Sequence, residues 1–226
     1  MVDKDKIMAL LKQYFTTTGK ITIDDEGLVS CKGNVELKTV IKHERLPVFF
    51  DRVDGNFVCV WNELETLEGA PKRVGETFLC VGNKLTTLEG APKSVGGSFG
   101  CSSNQLTTLE GAPKSVVGNF YCSNNQLTTL EGAPKSVSGD FNCIDNQLTT
   151  LEGMPDVQGT LFLSYRRKLP LLRCLLAQKV EFFPTLKDKT VENILNKHTS
   201  KGKRAMFDCQ KELEDAGFEE NARWQM

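Results

Sequence analysis

The segment LTTLEGAPKSV occurs at residues 85–95, 106–116 and 127–137, each copy 21 residues after the last. Looser copies flank these, LETLEGAPKRV at 64–74 and LTTLEGMPDV at 148–157. A unit this short buries too little apolar surface to fold alone, so a 21-residue period constrains the chain to a stacked solenoid. In register the units run Gly55–Val74, Gly75–Val95, Gly96–Val116, Val117–Val137 and Ser138–Gln158, with a degenerate sixth from Gly159. Phe57, Phe78, Phe99, Phe120, Phe141 and Phe162 are assigned one slot. Cys59, Cys80, Cys101, Cys122 and Cys143 follow two residues later, with Ser164 expected there in the sixth unit.

Phe and Cys two residues apart point to the same side of a strand. Stacked strands would form a parallel sheet about 4.8 Å apart. Asn62, Asn83, Asn104, Asn125 and Asn146 come just after the strand, where the chain must turn. Their amides are expected to bond backbone groups that the turn leaves unpaired, as a buried ladder. Two leucines per unit, from Leu64 and Leu67 to Leu148 and Leu151, complete the core, and Leu169 and Leu172 keep that register.

The unit F-x-C-x-x-N-x-L resembles the leucine-rich-repeat pattern L-x-L-x-x-N-x-L. The following LTTLEGAP resembles the bacterial type, whose return segment is extended, and Gly and Pro in EGAPKS disfavour a helix there. Over residues 46–172 the chain resembles leucine-rich-repeat proteins of bacteriophages and bacteria. The resemblance implies a fold and leaves activity open. The expected architecture is a β-rich repeat solenoid with one short parallel strand per repeat, extended return segments and helical caps at both ends. Residues 1–54 form a helix-and-hairpin cap, 55–172 the solenoid and 173–226 a helical cap.

Ile7, Leu10, Leu11 and Phe15 fall at helical spacing, which predicts an amphipathic helix over residues 3–15. GLVSCKGNVELKTVI reads as a hairpin turning at Lys32-Gly33-Asn34. Leu46 takes the Leu67 slot and Val53 the Val74 slot. Beyond Pro170, LLRCLLAQ and KTVENILNKH read as short helices with Pro184 between them. A longer helix is expected over Lys203–Ala216, with Gly217 ending it. Residues 205–224 are similar to the small three-helix module at the start of the elongation factor Ts family, through a shared M-x-D-C-x-x-x-L run.

With 28 Lys+Arg against 29 Asp+Glu, the chain has no basic excess to favour nucleic acid. No apolar run approaches the roughly 18 residues of a membrane span. The opening MVDKDKIMALLKQYF lacks the pattern of a signal peptide, so a cytoplasmic protein is expected, in the host bacterium if phage-encoded. Five of the eight cysteines fall one per repeat, while Cys31, Cys174 and Cys209 are assigned outside the array. With His43 and His198 the only histidines, no zinc-ligand spacing appears, and buried free thiols are expected. No nucleophile–base pair, phosphate-cradling glycine loop or cofactor motif is present, so the expectation is no enzyme and no cofactor.

The residues flanking Phe and Cys vary from copy to copy, whereas the exposed return segment hardly changes. Drift confined to one exposed face is what a ligand-reading surface would produce. Strand neighbours on one face form a continuous patch. The expected partner-binding residues are Val58, Val60, Trp61, Leu79, Val81, Tyr121, Asn142, Ile144 and Asp145, on a concave strand face. Large exposed apolar patches mark partner sites. The function expected is protein–protein interaction by a non-enzymatic module, a phage-encoded inhibitor or modulator of a host or competing protein; the sequence leaves its oligomeric state open, with a monomer favoured. The alternative is a structural or assembly component such as a virion or scaffold protein.

Overall fold

The computed structural model describes residues 2–38, 44–199, 201 and 203–223. Thr39, Val40 and Ile41 of the expected hairpin, His43, and Trp224 of the elongation-factor likeness lie outside the described residues. The chain forms a β-solenoid of about seven stacked parallel coils with three helices. Helix α1 (Lys4–Tyr14) starts where the Asp3 side chain accepts the Lys6 amide at 2.9 Å. It buries Leu11 and ends at extended Phe15.

The strands then follow in chain order: β1 (Phe15–Thr17), β2 (Ile21–Ile23), β3 (Val29–Cys31), β4 (Val35–Leu37), β5 (Phe50–Val53), β6 (Phe57–Val58), β7 (Arg73–Val74), β8 (Phe78–Leu79), β9 (Ser94–Val95), β10 (Phe99–Gly100), β11 (Ser115–Val116), β12 (Phe120–Tyr121), β13 (Ser136–Val137), β14 (Phe141–Asn142), β15 (Asp156–Leu163) and β16 (Ala177–Phe182). Helices α2 (Thr190–His198) and α3 (Lys203–Asp215) come last.

Each repeat supplies two strands rather than one. In the first wall, Val35, Phe57, Phe78, Phe99, Phe120, Phe141, Leu161 and Val180 align in parallel register. The return segment builds a second wall through Cys31, Val53, Val74 and Val95, then through Val116, Val137, Val157 and Ala177. The second wall's strand pairing is interrupted between β9 and β11, and β15 runs across the corner to join both walls.

Between the walls the phenylalanines stack. Successive rings from Phe57 to Phe141 lie 5.3 to 5.6 Å apart, within 22° of parallel. All eight cysteines are free and buried. Several thiols donate to the carbonyl of the next coil, Cys80 to Gly100 and Cys122 to Asn142, each at 3.4 Å. The asparagine ladder forms as expected. Asn104 Nδ2 donates to the carbonyls of Cys80, Cys101 and Ser102 at 3.0, 3.1 and 3.2 Å. Its Oδ1 accepts the Leu85 amide at 3.0 Å, so one side chain ties two coils together.

Four sequence expectations are corrected. β3 and β4 do not pair with each other: each joins a different wall, so residues 29–37 form a first coil and not a hairpin. The inward spacing of four then two residues, Cys31–Val35–Leu37, matches Val53–Phe57–Cys59, and this puts Cys31 inside the array. At the other end the repeat shortens to 20 residues, because Pro155-Asp156-Val157 replaces Pro134-Lys135-Ser136-Val137. Leu161 and Leu163 therefore take the Phe and Cys slots, and Phe162 and Ser164 turn outward. Finally, LLRCLLAQ is a 3-10 turn over Leu172–Leu176 that runs directly into β16, which continues the stack.

The two ends of the stack are finished differently. β1 and β2 run antiparallel to β4 and β3. At the far end, Asn196 of α2 accepts the Val180 amide at 2.7 Å and donates to its carbonyl at 2.8 Å, as a strand would. The Glu192 carboxylate takes the Phe182 amide at 3.1 Å. Gly217, at φ 82°, follows α3 as expected of a C′ glycine.

Candidate protein-binding face

Each two-residue strand of the first wall sends its Phe inward and its second residue outward. The outward row reads Glu36, Val58, Leu79, Gly100, Tyr121, Asn142, Phe162 and Glu181. Two residues on, a second row holds Val60, Val81, Ser102, Ser123 and Ile144, all partly exposed. The next position closes the strand and turns the chain. There Trp61, Gly82, Ser103, Asn124 and Asp145 all adopt left-handed backbone, with φ between 53° and 70°. The nine expected binding residues thus stand in three adjacent rows on one side of the molecule.

The structure changes what the variation on this face means. Asn56, Thr77, Ser98, Asn119 and Asp140, read from the sequence as variable surface, form a second ladder. Each side-chain oxygen accepts the amide of the corresponding residue one coil on: Asn56 from Thr77 at 3.0 Å, Ser98 from Asn119 at 3.0 Å, Asn119 from Asp140 at 2.8 Å. The residues differ and the acceptor does not. Small residues in the left-handed slot have a conformational cause as well, because Gly, Asn and Asp tolerate that backbone best.

Constancy of the return segment also has a local cause. Thr87, Thr108, Thr129 and Thr150 accept the amide two residues on, from Glu89, Glu110, Glu131 and Glu152, at 2.8 to 3.2 Å. Gly90, Gly111, Gly132 and Gly153 are left-handed, and a Cβ at Gly111 would lie 2.4 Å from the Leu88 carbonyl oxygen. Turn chemistry fixes the Thr and Gly positions of this segment, so their invariance carries no information about a ligand.

What remains unexplained by folding is Trp61. It is the one large residue in the left-handed slot, at φ 57°, and it is 64% exposed. Left-handed backbone costs an ordinary L-residue roughly 1–2 kcal/mol. Its indole lies against Gly82, where an added Cβ would come within 2.2 Å of the ring. Leu79 likewise leans over Gly100, its Cδ2 2.8 Å from where a Cβ would stand. Thus two glycines of the neighbouring coils make room for two apolar side chains on the face. Val58, Val60 and Val81 surround them, each partly exposed.

A second apolar group stands further along the same face, Tyr121, Ile144 and Phe162, with Asn142 between the two aromatic residues in the register. Phe162 was missed because the shortened repeat moved it one position outward. The four-then-two spacing of Val157, Leu161 and Leu163 is the signal that identifies it. Between the two groups the coil carries Gly100, Ser102 and Ser103, with Ser123 Oγ donating to Ser102 Oγ at 2.9 Å.

Among the described residues no group of three or more His, Cys, Asp and Glu side chains is arranged to hold a metal ion. No helix among them is long and apolar enough to cross a membrane. Burial pushes the thiols of Cys59 and Cys143 up to about 12, and those of Cys80, Cys101 and Cys122 upward as well. These cysteines are packing groups, since a reactive thiol needs a lowered pKa and access. No protein-family model, curated protein or solved structure matches this chain.

Proposed function

We propose that the chain is a non-enzymatic protein-binding module that receives its partner on the outer face of the first wall, around Trp61. The observation that carries this reading is a strained, exposed tryptophan at a position where every sister coil holds Gly, Ser, Asn or Asp. Strain retained at an exposed site is a mark of function, and tryptophan is prominent among interface hot spots. Leu79 and Val81 extend the patch, and the Tyr121–Ile144–Phe162 group offers a second contact region. Eight buried free thiols fit a reducing, cytoplasmic setting. In the phage context implied by the repeat resemblance, the partner is a host or competing protein whose activity this module modulates.

Affinity capture with quantitative mass spectrometry tests the proposal. Trp61→Asn is the best variant, because Asn124 shows that asparagine fits that slot. It is expected to leave the fold at least as stable while removing about 2 kcal/mol of binding. Leu79→Asp should act in the same direction, and the return-segment changes Lys93→Ala and Glu110→Ala should be near neutral. Binding that survives Trp61→Asn and Leu79→Asp but is lost in the return-segment pair would place the partner elsewhere.

A further inference from the structure

The coil that carries Trp61 departs from its sisters in charge as well as in size. Where later coils place Gln105, Gln126 and Gln147, it places Glu63; where they place Thr86, Thr107, Thr128 and Thr149, it places Glu65. The Glu65 amide donates to the Glu44 carbonyl at 2.9 Å, so these two acidic residues are neighbours in successive coils. On the strand side, Glu36 stands opposite Val58 in the register and is exposed.

Among the described residues, three cations of this region are already engaged. Lys84 pairs with Glu63 at 3.0 Å and Arg45 with Glu68 at 3.1 Å, while the Lys38 ammonium donates to the Lys12 carbonyl at 2.7 Å. Among the described residues Glu36, Glu44 and Glu65 have no ion-pair partner. No Lys or Arg occupies any outward strand position of the five coils from Asn56 to Asp145. The lysine row Lys72, Lys93, Lys114 and Lys135 belongs to the return segment instead. An apolar patch with an exposed carboxylate opposite Val58, at Glu36, and another four residues beyond Trp61, at Glu65, is complementary to one kind of partner.

Resting on the binding face described above, we propose that the partner docks there through a basic polypeptide segment. An apolar side chain of that segment covers Leu79 and Val81. A lysine or arginine lies on the solvent-facing side of the Trp61 indole, attracted by the ring and by Glu36 and the Glu44–Glu65 pair. A cation over tryptophan is favoured most where the contact is desolvated. Rim carboxylates speed association and make it sensitive to salt.

A displayed random dodecapeptide library, selected on the wild-type chain and counter-selected on Trp61→Asn, tests this. Enriched peptides should be rich in Lys and Arg, poor in Asp and Glu, and should carry an apolar residue. Their binding, read by fluorescence anisotropy, should weaken about tenfold in the Glu36→Gln, Glu44→Gln, Glu65→Thr triple variant and at raised salt. Thr86 and its sisters show that threonine fits the Glu65 position. Peptides that need Trp61 but show no basic excess, or that ignore the triple variant, would overturn the basic-segment proposal and leave the binding face standing. Peptides that bind Trp61→Asn and Leu79→Asp as well as wild type would overturn both. A library with no enrichment over the counter-target would also overturn the proposal, since an exposed basic-segment site should capture such peptides.

Discussion

A single asparagine shows how little of this fold depends on any one coil in isolation. Asn104 makes three donations and one acceptance across two coils, all to backbone groups that its removal would strand. A buried group left without its partner costs roughly 1–3 kcal/mol, and Asn104→Ala strands several, which places it at the upper end. Ser103→Asn is the proper control. It puts into the left-handed slot the residue that Asn124 already carries there at φ 54°, and it should be nearly neutral. Urea midpoints of the two variants check this, and equal small shifts would contradict the ladder's role.

At the scale of the element, the exposed edge of a parallel sheet is the hazard, because its unpaired amides can template another chain. Helix α2 answers it with side chains in place of a strand. Asn196 reproduces both hydrogen bonds of a neighbouring residue on Val180, and Glu192 covers Phe182. Asn196→Ala removes both bonds while leaving the helix propensity of α2 intact or better. We expect a loss of roughly 1–3 kcal/mol, together with self-association visible by light scattering as protein concentration rises. A destabilised variant that stays monomeric at every concentration would show that α2 covers the edge by bulk alone. The second-wall strands make the same point from another direction. Ser94–Val95 has only two residues, and it becomes a strand because Lys93 donates to the Lys72 carbonyl at 3.0 Å and because Arg73–Val74 lies beside it.

Over the whole molecule, each coil rests mainly on its two neighbours, so the array should tolerate the loss of a complete period. Excising residues 96–116 joins Val95 to Val117 and keeps every slot in phase. The shortened chain should retain its circular dichroism signature and unfold at a lower midpoint. Removing residues 97–116 instead shifts the following Phe and Cys by one residue, which turns inward side chains outward. That variant should be far less stable. If the two deletions behave alike, the slots are not what holds the coils in register.

The cysteine column gives the molecule a pH dependence. Thiols buried in the column have their pKa raised, for Cys59 and Cys143 to about 12 from the ordinary 9.0. An unfolded thiol loses its proton first, so the unfolded chain binds fewer protons than the folded one above pH 9 and stability falls with rising pH. The stabilisation is complete below the ordinary value and is lost as pH climbs through the raised one. Urea midpoints should hold up to about pH 9 and drop as pH rises from there toward about 12. Native thiols should resist alkylation at the higher pH until the chain unfolds, when all eight label. Rapid labelling of the folded chain would show that the column is open to solvent.

The repeat by itself determined the solenoid, the inward rows of Phe, Cys and Leu, and the asparagine ladder. Each follows from the 21-residue period and from the fact that a strand alternates its faces. The sequence also held signals that are clear only once the coil is known. A four-then-two spacing marks Cys31–Val35–Leu37 as a coil and sends Phe162 outward, yet the same letters pass for a hairpin and for a sixth Phe slot. Tertiary structure alone decided three things. It made strands of two-residue return segments, whose pairing comes entirely from adjacent coils. It turned Asn56, Thr77, Ser98, Asn119 and Asp140 from apparent surface variation into one hydrogen-bonded ladder, since chemically different oxygens accept the same amide. And it separated Trp61 from its row, because only the backbone shows that a large side chain sits where the chain must turn left-handed.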